Sequence, residues 1–400
     1  MRENSIYSNA FIRFLVGRAT FSLIDSVMSV AVAWHLYQAT KDPFDLALVG
    51  LFQITPVLAL FLVTGWVVDH VSRKKILIAG AVIQFIVVIS VAMQMQSPDF
   101  NKWHLLLCIS LYGVGKAFMS PALQAALPNI VSASHLSKAL ALTSTAWNIA
   151  LTVGPFAAGL LLAWVDRNIY WYLLGISLIT LFSFTHLPPI SVSNRTQDGR
   201  KDLLGGVRFL KANPIVLGSL SLDLLIMLLG SVIALLPVYA ADVLHVGSSG
   251  LGLLRAMPAT GAVLIGLYLS RYKSEFAHIG RTLFIAFGVF AASVLVFSLS
   301  NVLWLSAAAL FVYGAADMFS VVIRGAVVQH NTPDALRGRV SALNSIFIAC
   351  SNQLGDFRAG SIAAALGPVG AAFTGGICAA IVAAGGAWWF ADLRKLKSAR

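Results

Sequence analysis

Asp25, Lys116, Asp223 and Asp317 each stand inside a long apolar stretch. A charge at the centre of a membrane helix costs roughly 2.5–3.5 kcal/mol on insertion scales, so such a group faces protein or a water-filled cavity rather than lipid. One lysine cannot neutralise three aspartates. A carboxyl group with no cation beside it in a low-dielectric cavity holds a proton more readily than one in water, and can therefore carry it across. Asp25 and Asp317, near the midpoints of their stretches, are the candidate proton sites, and Lys116 is the cation that biases which of them stays ionised. Asp223 lies nearer one end and suits cargo entry. The plainer alternative is that Lys116 only bridges to an aspartate. Asp356 and Arg358, in Ser351-Asn352-Gln353-Leu354-Gly355-Asp356-Phe357-Arg358, form a second polar cluster, suited either to coupling or to fastening their helix to its neighbours.

Other chemistries find no support. Gly113-Val114-Gly115-Lys116 resembles half a phosphate-binding loop, but the earlier glycine is missing and Ala117 follows where Ser or Thr is needed. The sequence has no Gly-x-Ser-x-Gly elbow, no His-Glu-x-x-His and no complete dinucleotide fingerprint, which argues against an enzyme. Cys108, Cys350 and Cys378 lie inside apolar segments without metal-ligand spacing and read as packing residues. No cofactor is expected beyond an ion gradient as energy source.

The elements that must position these charges follow from composition. With 58% hydrophobic and 11% charged residues and a mean hydropathy of +0.83, the chain has too little polar surface for a soluble protein of 400 residues. A spanning helix takes roughly 20 apolar residues. Charge, Pro and Gly divide the sequence into twelve spans: 9–38, 44–68, 75–96, 102–126, 137–164, 168–187, 214–242, 248–270, 280–299, 302–329, 338–366 and 367–390. The first is interrupted by Arg13, Arg18 and Asp25 and is expected to remain as a span rather than be removed as a signal peptide.

A net charge of +12 could suggest nucleic acid, but the cations are scattered among short loops rather than gathered in a stripe. They report topology instead. With the N-terminus inside, the cytoplasmic side collects Arg73, Lys74, Lys75, Arg195, Arg200, Lys201, Arg337, Arg339 and the basic tail, while the other side holds only Lys41, Lys102 and Arg167. Both termini are therefore expected in the cytoplasm. The one long hydrophilic stretch, 188–213, reads as a linker between a bundle at 1–187 and a second at 214–391, with 392–400 as a tail. Within it, Leu203 to Leu210 is expected to form a short interfacial helix with Arg208 and Lys211 towards lipid headgroups.

The two bundles repeat one another. Asp25 answers Asp223, Gln53 answers Arg255, Pro56 answers Pro258, Gly113 answers Gly314, Lys116 answers Asp317, Gly154 answers Gly355 and Gly159 answers Gly360. Between spans two and three lies Gly65-Trp66-Val67-Val68-Asp69-His70-Val71-Ser72-Arg73-Lys74-Lys75. Its Gly, Asp and basic residues resemble the signature loop of the major facilitator superfamily of secondary transporters, with His70 where arginine is usual and Ser72 where glycine is usual. The resemblance implies that Gly65 permits a close helix approach, that Asp69 faces another helix terminus, and that Arg73 and Lys74 hold the turn at the cytoplasmic surface. The terminus expected to face Asp69 is the start of span eleven, where Thr332-Pro333-Asp334 reads as an N-cap followed by Pro at the first helical position. It also implies that spans 1, 4, 7 and 10 line a central cavity, the four spans that carry the deep charges.

Span five contains Ala150-Leu151-Thr152-Val153-Gly154-Pro155-Phe156-Ala157-Ala158-Gly159. This resembles the Gly-Pro motif of drug/proton antiporters in the same superfamily; Gly154 and Gly159 would let helices pack closely and Pro155 would let one bend. Ser120-Pro121-Ala122-Leu123-Gln124, Leu235-Leu236-Pro237-Val238-Tyr239-Ala240, Gly250-Leu251-Gly252-Leu253-Leu254-Arg255 and the run Gln329 to Val340 resemble the enterobactin-exporter-like (transmembrane secretion effector) branch.

The expectation is an all-α protein of two pseudo-symmetric six-helix bundles in the bacterial inner membrane. It would act as a proton-coupled exporter of a small amphiphilic compound, such as a siderophore or drug, by alternating access. Its partners would be that cargo and the surrounding lipid, with no nucleic acid, and it would work as a monomer. Phe21, Trp34, Phe118, Trp147 and Tyr239 are the aromatic candidates for contact with a partly apolar cargo. The alternatives are a lysophospholipid flippase and a transport-inactive sensor or scaffold. Loop orientation is directly testable: an Arg195→Cys variant in a cysteine-free background should resist a membrane-impermeant maleimide added to intact cells and react after permeabilisation. Labelling in intact cells would reverse the topology.

Overall fold

The computed structural model describes residues 8–190, 203–271 and 278–396, and among these the regular structure is entirely helical. The elements are α1 (Asn9–Thr40), α2 (Pro43–His70), α3 (Arg73–Gln96), α4 (Lys102–Ile130), α5 (Leu136–Val165), α6 (Ile169–Thr185), α7 (Leu203–Ala212), α8 (Pro214–Gly230), α9 (Leu236–Val238), α10 (Gly247–Arg271), α11 (Ile279–Leu299), α12 (Leu303–Asn331), α13 (Asp334–Trp389) and α14 (Ala391–Arg394). Ten stretches among the described residues are long and apolar enough to cross a membrane. Two of them are double: Ala133–Thr185 turns at Asp166–Asn168, and Cys350–Trp389 turns at Gly367. The count is therefore the expected twelve.

Helix ends fall where the sequence supplies partners for the first free N–H groups. Ser8 Oγ accepts from Phe11 N, Asn101 Oδ1 from Trp103 N and His104 N, and Asn213 Oδ1 from Val216 N with Pro214 at the first helical position. The start of α13 differs from the Thr332 cap expected ahead of a helical Pro333. Thr332 closes α12, and Pro333, at φ −57° and ψ 145°, occupies the cap position of α13. Proline disfavours helical backbone in the residue before it, so Thr332 stays extended and the helix begins one residue later.

Span seven is also not the continuous helix expected over 214–242. It stops at Gly230, passes through an extended Ser231, and resumes as a 3-10 turn (Ile233–Leu235), α9 and a π turn (Tyr239–Val243). Pro237 has no N–H to continue an α ladder. Crowding adds to this, because a Cβ on Gly230 would lie 2.8 Å from the Phe290 ring and 3.1 Å from Ala379 Cβ.

The chain forms two compact units, Met1–Lys41 with Leu48–Arg195, and Asp42–Ala47 with Thr196–Arg400. In the first, α1 packs on α5 and α6, and α3 packs on α4 and α6. In the second, α8 and α11 pack on α13, and α10 and α11 pack on α12. The linker helix α7 buries Leu210 against Val216, Leu220, Val328 and Val340 and leaves Arg208 and Lys211 exposed.

The repeat is visible as contacts. A Cβ on Gly113 of α4 would lie 2.6 Å from the Gln53 carbonyl of α2, and one on Gly314 of α12 would collide with the Pro258 carbonyl of α10. Likewise Gly154 of α5 meets Ser26 of α1, and Gly355 of α13 meets Met227 and Ser231 at the end of α8. Backbone touches backbone at three of these crossings, and at the fourth Gly154 meets the Ser26 side chain, as small residues allow between membrane helices. Gly314→Ala should therefore lower the thermal midpoint of the purified protein, at a cost of about 1–3 kcal/mol for overpacking. Gly65→Ala should leave it unchanged, since no heavy atom lies within 4 Å of a Cβ there. Equal midpoints for wild type and Gly314→Ala would contradict the packing argument.

Candidate functional site

In the first unit, Lys116 Nζ of α4 lies 3.0 Å from Asp25 Oδ2 of α1, and both side chains are partly exposed. Behind them, the fully buried Gln84 donates to the Phe21 carbonyl at 3.3 Å and to the Tyr112 hydroxyl at 3.2 Å. Phe21 and Tyr112 stack beside this pair. Asp25 is thus matched by Lys116, one acid to one cation.

The second unit has a different balance. Asp223 of α8 and Arg324 of α12 pair at 3.2 Å, with both side chains almost wholly buried. Ser320 Oγ donates to Asp223 Oδ1 at 3.1 Å, and Arg324 Nη1 donates to Asn344 Oδ1 at 2.6 Å. Asp317, Ser320 and Arg324 recur three and seven residues apart and so share a face of α12. Asp317 has Asp223 and Arg324 as its charged neighbours. Asp317 is thus a second acid in the electrostatic neighbourhood of the Asp223–Arg324 pair. Sequence reading missed Arg324, although a cation on the same helical face as Asp317 was the signal that could have found it.

Asp356 of α13 accepts from Ser231 Oγ at 3.2 Å, while Arg358 Nη2 donates to the Ser231 carbonyl at 2.9 Å. Arg255 of α10 faces the same carboxylate. The break after α8 explains this arrangement, since Ser231 outside the helix offers both its hydroxyl and a free carbonyl.

The start of α1 and the turn between α2 and α3 are both tied to the end of α6. Arg13 Nη1 donates to the His186 carbonyl at 2.7 Å, Lys74 Nζ to the Leu187 carbonyl at 2.5 Å, and Ser72 Oγ to the Ile190 carbonyl at 3.2 Å. Cations belong at a helix C-terminus, where carbonyls lack partners. Arg73 is half-buried, and Gly65 and Asp69 are exposed. The side chain of Asp334, at the helix start expected to face Asp69, lies outside the described residues. Gly154 places its Cα hydrogens against Ser26 Oγ, where a Cβ would come within 2.6 Å; Pro155 sits mid-helix and Gly159 is buried.

Among the aromatic candidates, Trp34 and Phe118 are half-buried and Trp147 is exposed. Tyr239 and Phe21 are core residues instead. Tyr239 is fully buried, lies with its ring tilted against that of Phe297 and donates to the Ser298 carbonyl at 3.3 Å. The three cysteines are free, and no cluster of metal-ligating residues occurs among the described residues.

Residues 14–355 match the Major Facilitator Superfamily profile. The chain is 26% identical over 367 residues to the enterobactin exporter EntS of Citrobacter koseri, covering 89% of this chain and 86% of that protein. It is 27% identical over 361 residues to EntS of Shigella boydii, covering 88% and 84%. The crystal structure of the nucleoside transporter NupG superposes with a TM-score of 0.73 at 14% identity, covering 98% of this chain and all of that one.

The Asp223–Arg324 geometry makes a stability prediction. Removing one partner of a buried pair leaves a charge without compensation, at a cost of roughly 3–5 kcal/mol, while replacing both by apolar groups is often neutral. Arg324→Met alone should lower the thermal midpoint sharply, and adding Asp223→Leu should restore most of it. If the double variant is no more stable than the single one, the pair is not the source of the loss.

Proposed function

Since the chain belongs to the Major Facilitator Superfamily, a family of membrane transporters rather than enzymes, we propose that it exports a small amphiphilic compound, such as a siderophore or drug, in exchange for protons. On this reading it resides in the bacterial inner membrane with both termini cytoplasmic, works by alternating access, and draws its energy from the proton gradient without a cofactor. The exporter relatives support the direction and the siderophore class.

One observation carries the coupling: Asp223 and Asp317 have a single arginine between them. With both acids ionised, the cluster holds one negative charge beyond what Arg324 balances, and one bound proton removes it. Arg324 and Ser320 already engage Asp223, so Asp317 is the group that takes the proton. Asp25, matched by Lys116, can gain a proton only by giving up an ion pair. It therefore serves the first unit's geometry before it serves coupling. A buried charge that appears and disappears with one proton gives two states of different energy, which a gradient can drive in a cycle.

The test is uptake into inside-out vesicles, with a panel of siderophores and drugs, with and without an imposed proton gradient. Wild type should accumulate cargo only with the gradient. Asp317→Asn should abolish gradient-driven accumulation while keeping cargo exchange at zero gradient, because the amide resembles the protonated acid. Accumulation by Asp317→Asn at wild-type rates would remove this residue from coupling.

A further inference from the structure

The second unit holds a cluster of the opposite sign that proton coupling does not use. Arg255 of α10 and Arg358 of α13 both face one carboxylate, Asp356. Arg358 spends one donor on the Ser231 carbonyl, and Ser231 Oγ occupies one oxygen of Asp356. The Nε atoms of both arginines are buried without a hydrogen-bond partner. The cluster thus has one cation more than it has acids, and buried donors left over. A guanidinium stays charged at any working pH, so the surplus cannot be relieved by losing a proton. Holding it half-buried is costly unless a counter-charge arrives, and its planar fork of N–H groups matches a carboxylate-like anion.

Local packing keeps the arginines in place. A Cβ on Gly375 of α13 would lie 3.1 and 3.2 Å from Nη1 and Nη2 of Arg358, so the bare glycine makes room for the guanidinium. Tyr313 of α12, one turn before Asp317, sits between this cluster and the acidic one; its hydroxyl lies 3.8 Å from Met227 Sδ, and Asp317, Asp356 and Arg358 are its charged neighbours. Asp317 itself faces Asp223 and Arg324, so it is not the missing counter-charge.

We infer that Arg255 and Arg358 form a subsite for an acidic group on the cargo, which places that cargo in the class of small amphiphilic organic acids ionised at neutral pH. This rests on the transporter reading above and adds the chemical class. Asp356 is then an internal competitor for the same two arginines, which keeps them soluble in the protein when no anion is present. A purely fastening role would need the two arginines and Asp356 equally.

The experiment measures equilibrium binding to the full-length protein in phosphatidylcholine nanodiscs with no gradient, so it stands apart from the Asp317 vesicle assay. The probes are 2-naphthoate and its neutral isostere 2-naphthamide. Wild type should favour the acid by about tenfold or more, as expected for a charge-assisted contact in a site of low dielectric. Arg255→Gln and Arg358→Gln should each erase that preference, lowering acid affinity by a larger factor than amide affinity. Asp356→Asn should strengthen acid binding several-fold by removing the competitor. In wild type alone, 2-naphthalenesulfonate should displace labelled 2-naphthoate, so the result does not depend on any variant folding. Equal wild-type binding of acid and amide, or parallel loss of both in the arginine variants, would overturn the inference. So would loss of the acid preference when phosphatidylglycerol is included, which would assign the arginines to a lipid phosphate.

Discussion

A guanidinium taken out of water must find its acceptors inside the protein, and in the second unit this requirement fixes where α8, α12 and α13 meet. Arg324 reaches Asp223 on one side and Asn344 on the other, so α12 is held between α8 and α13. Arg358 takes the carbonyl of Ser231, which the break after Gly230 leaves outside the helix ladder. In lipid every backbone group must be satisfied within the protein, so a broken helix survives only where side chains take up the freed groups. The arginine and the break therefore depend on each other, and the polar clusters are part of the fold as much as of the site.

Packing between the polar layers is set by bare backbone. The α2–α4 and α10–α12 crossings each bring a carbonyl onto a glycine, and the α1–α5 and α8–α13 crossings each seat a glycine against the helix that carries Asp25 or Asp223. At such distances a helix cannot slide without a clash, which holds the charged residues in register across each crossing. The small residues thus decide where the charges can sit.

Much of this was legible in the sequence because membrane helices obey a length rule. The twelve spans follow from apolar runs, and the boundary between 366 and 367 falls on Gly367, whose φ of 75° only glycine adopts readily. The break at Ser231 went unread because the stretch Pro214–Val243 is strongly apolar on average, and a Gly-Ser step followed by a proline is tolerated within membrane helices. Arg324 escaped because its burial is a tertiary fact: its partner Asp223 stands on another helix. Tyr239 was misplaced for the complementary reason, since helical position does not say whether an aromatic faces a cavity or, as here, the Phe297 ring of α11. Sequence pattern finds the helices and their charges, while the pairing of those charges is decided by packing.

The repeat makes the divergence of the two units readable in charge. Lys116 and Asp317 occupy equivalent places in α4 and α12, opposite the equivalent acids Asp25 and Asp223. In the first unit the cation sits at that place and closes directly on the acid. In the second an acid has taken the place, and the cation stands two turns further along α12, where it still reaches the acid on α8. The packing partners are kept and the arithmetic is changed: one acid meets one cation in the first unit, whereas in the second two acids stand beside one cation and one carboxyl group lacks a cation of its own. A second imbalance of opposite sign, at Arg255, Arg358 and Asp356, lies around the same broken helix. Each imbalance is costly while it stands alone. The two units thus keep the same helix crossings and differ in how the charges on them are matched, one for one in the first and with one charged group over at each cluster in the second.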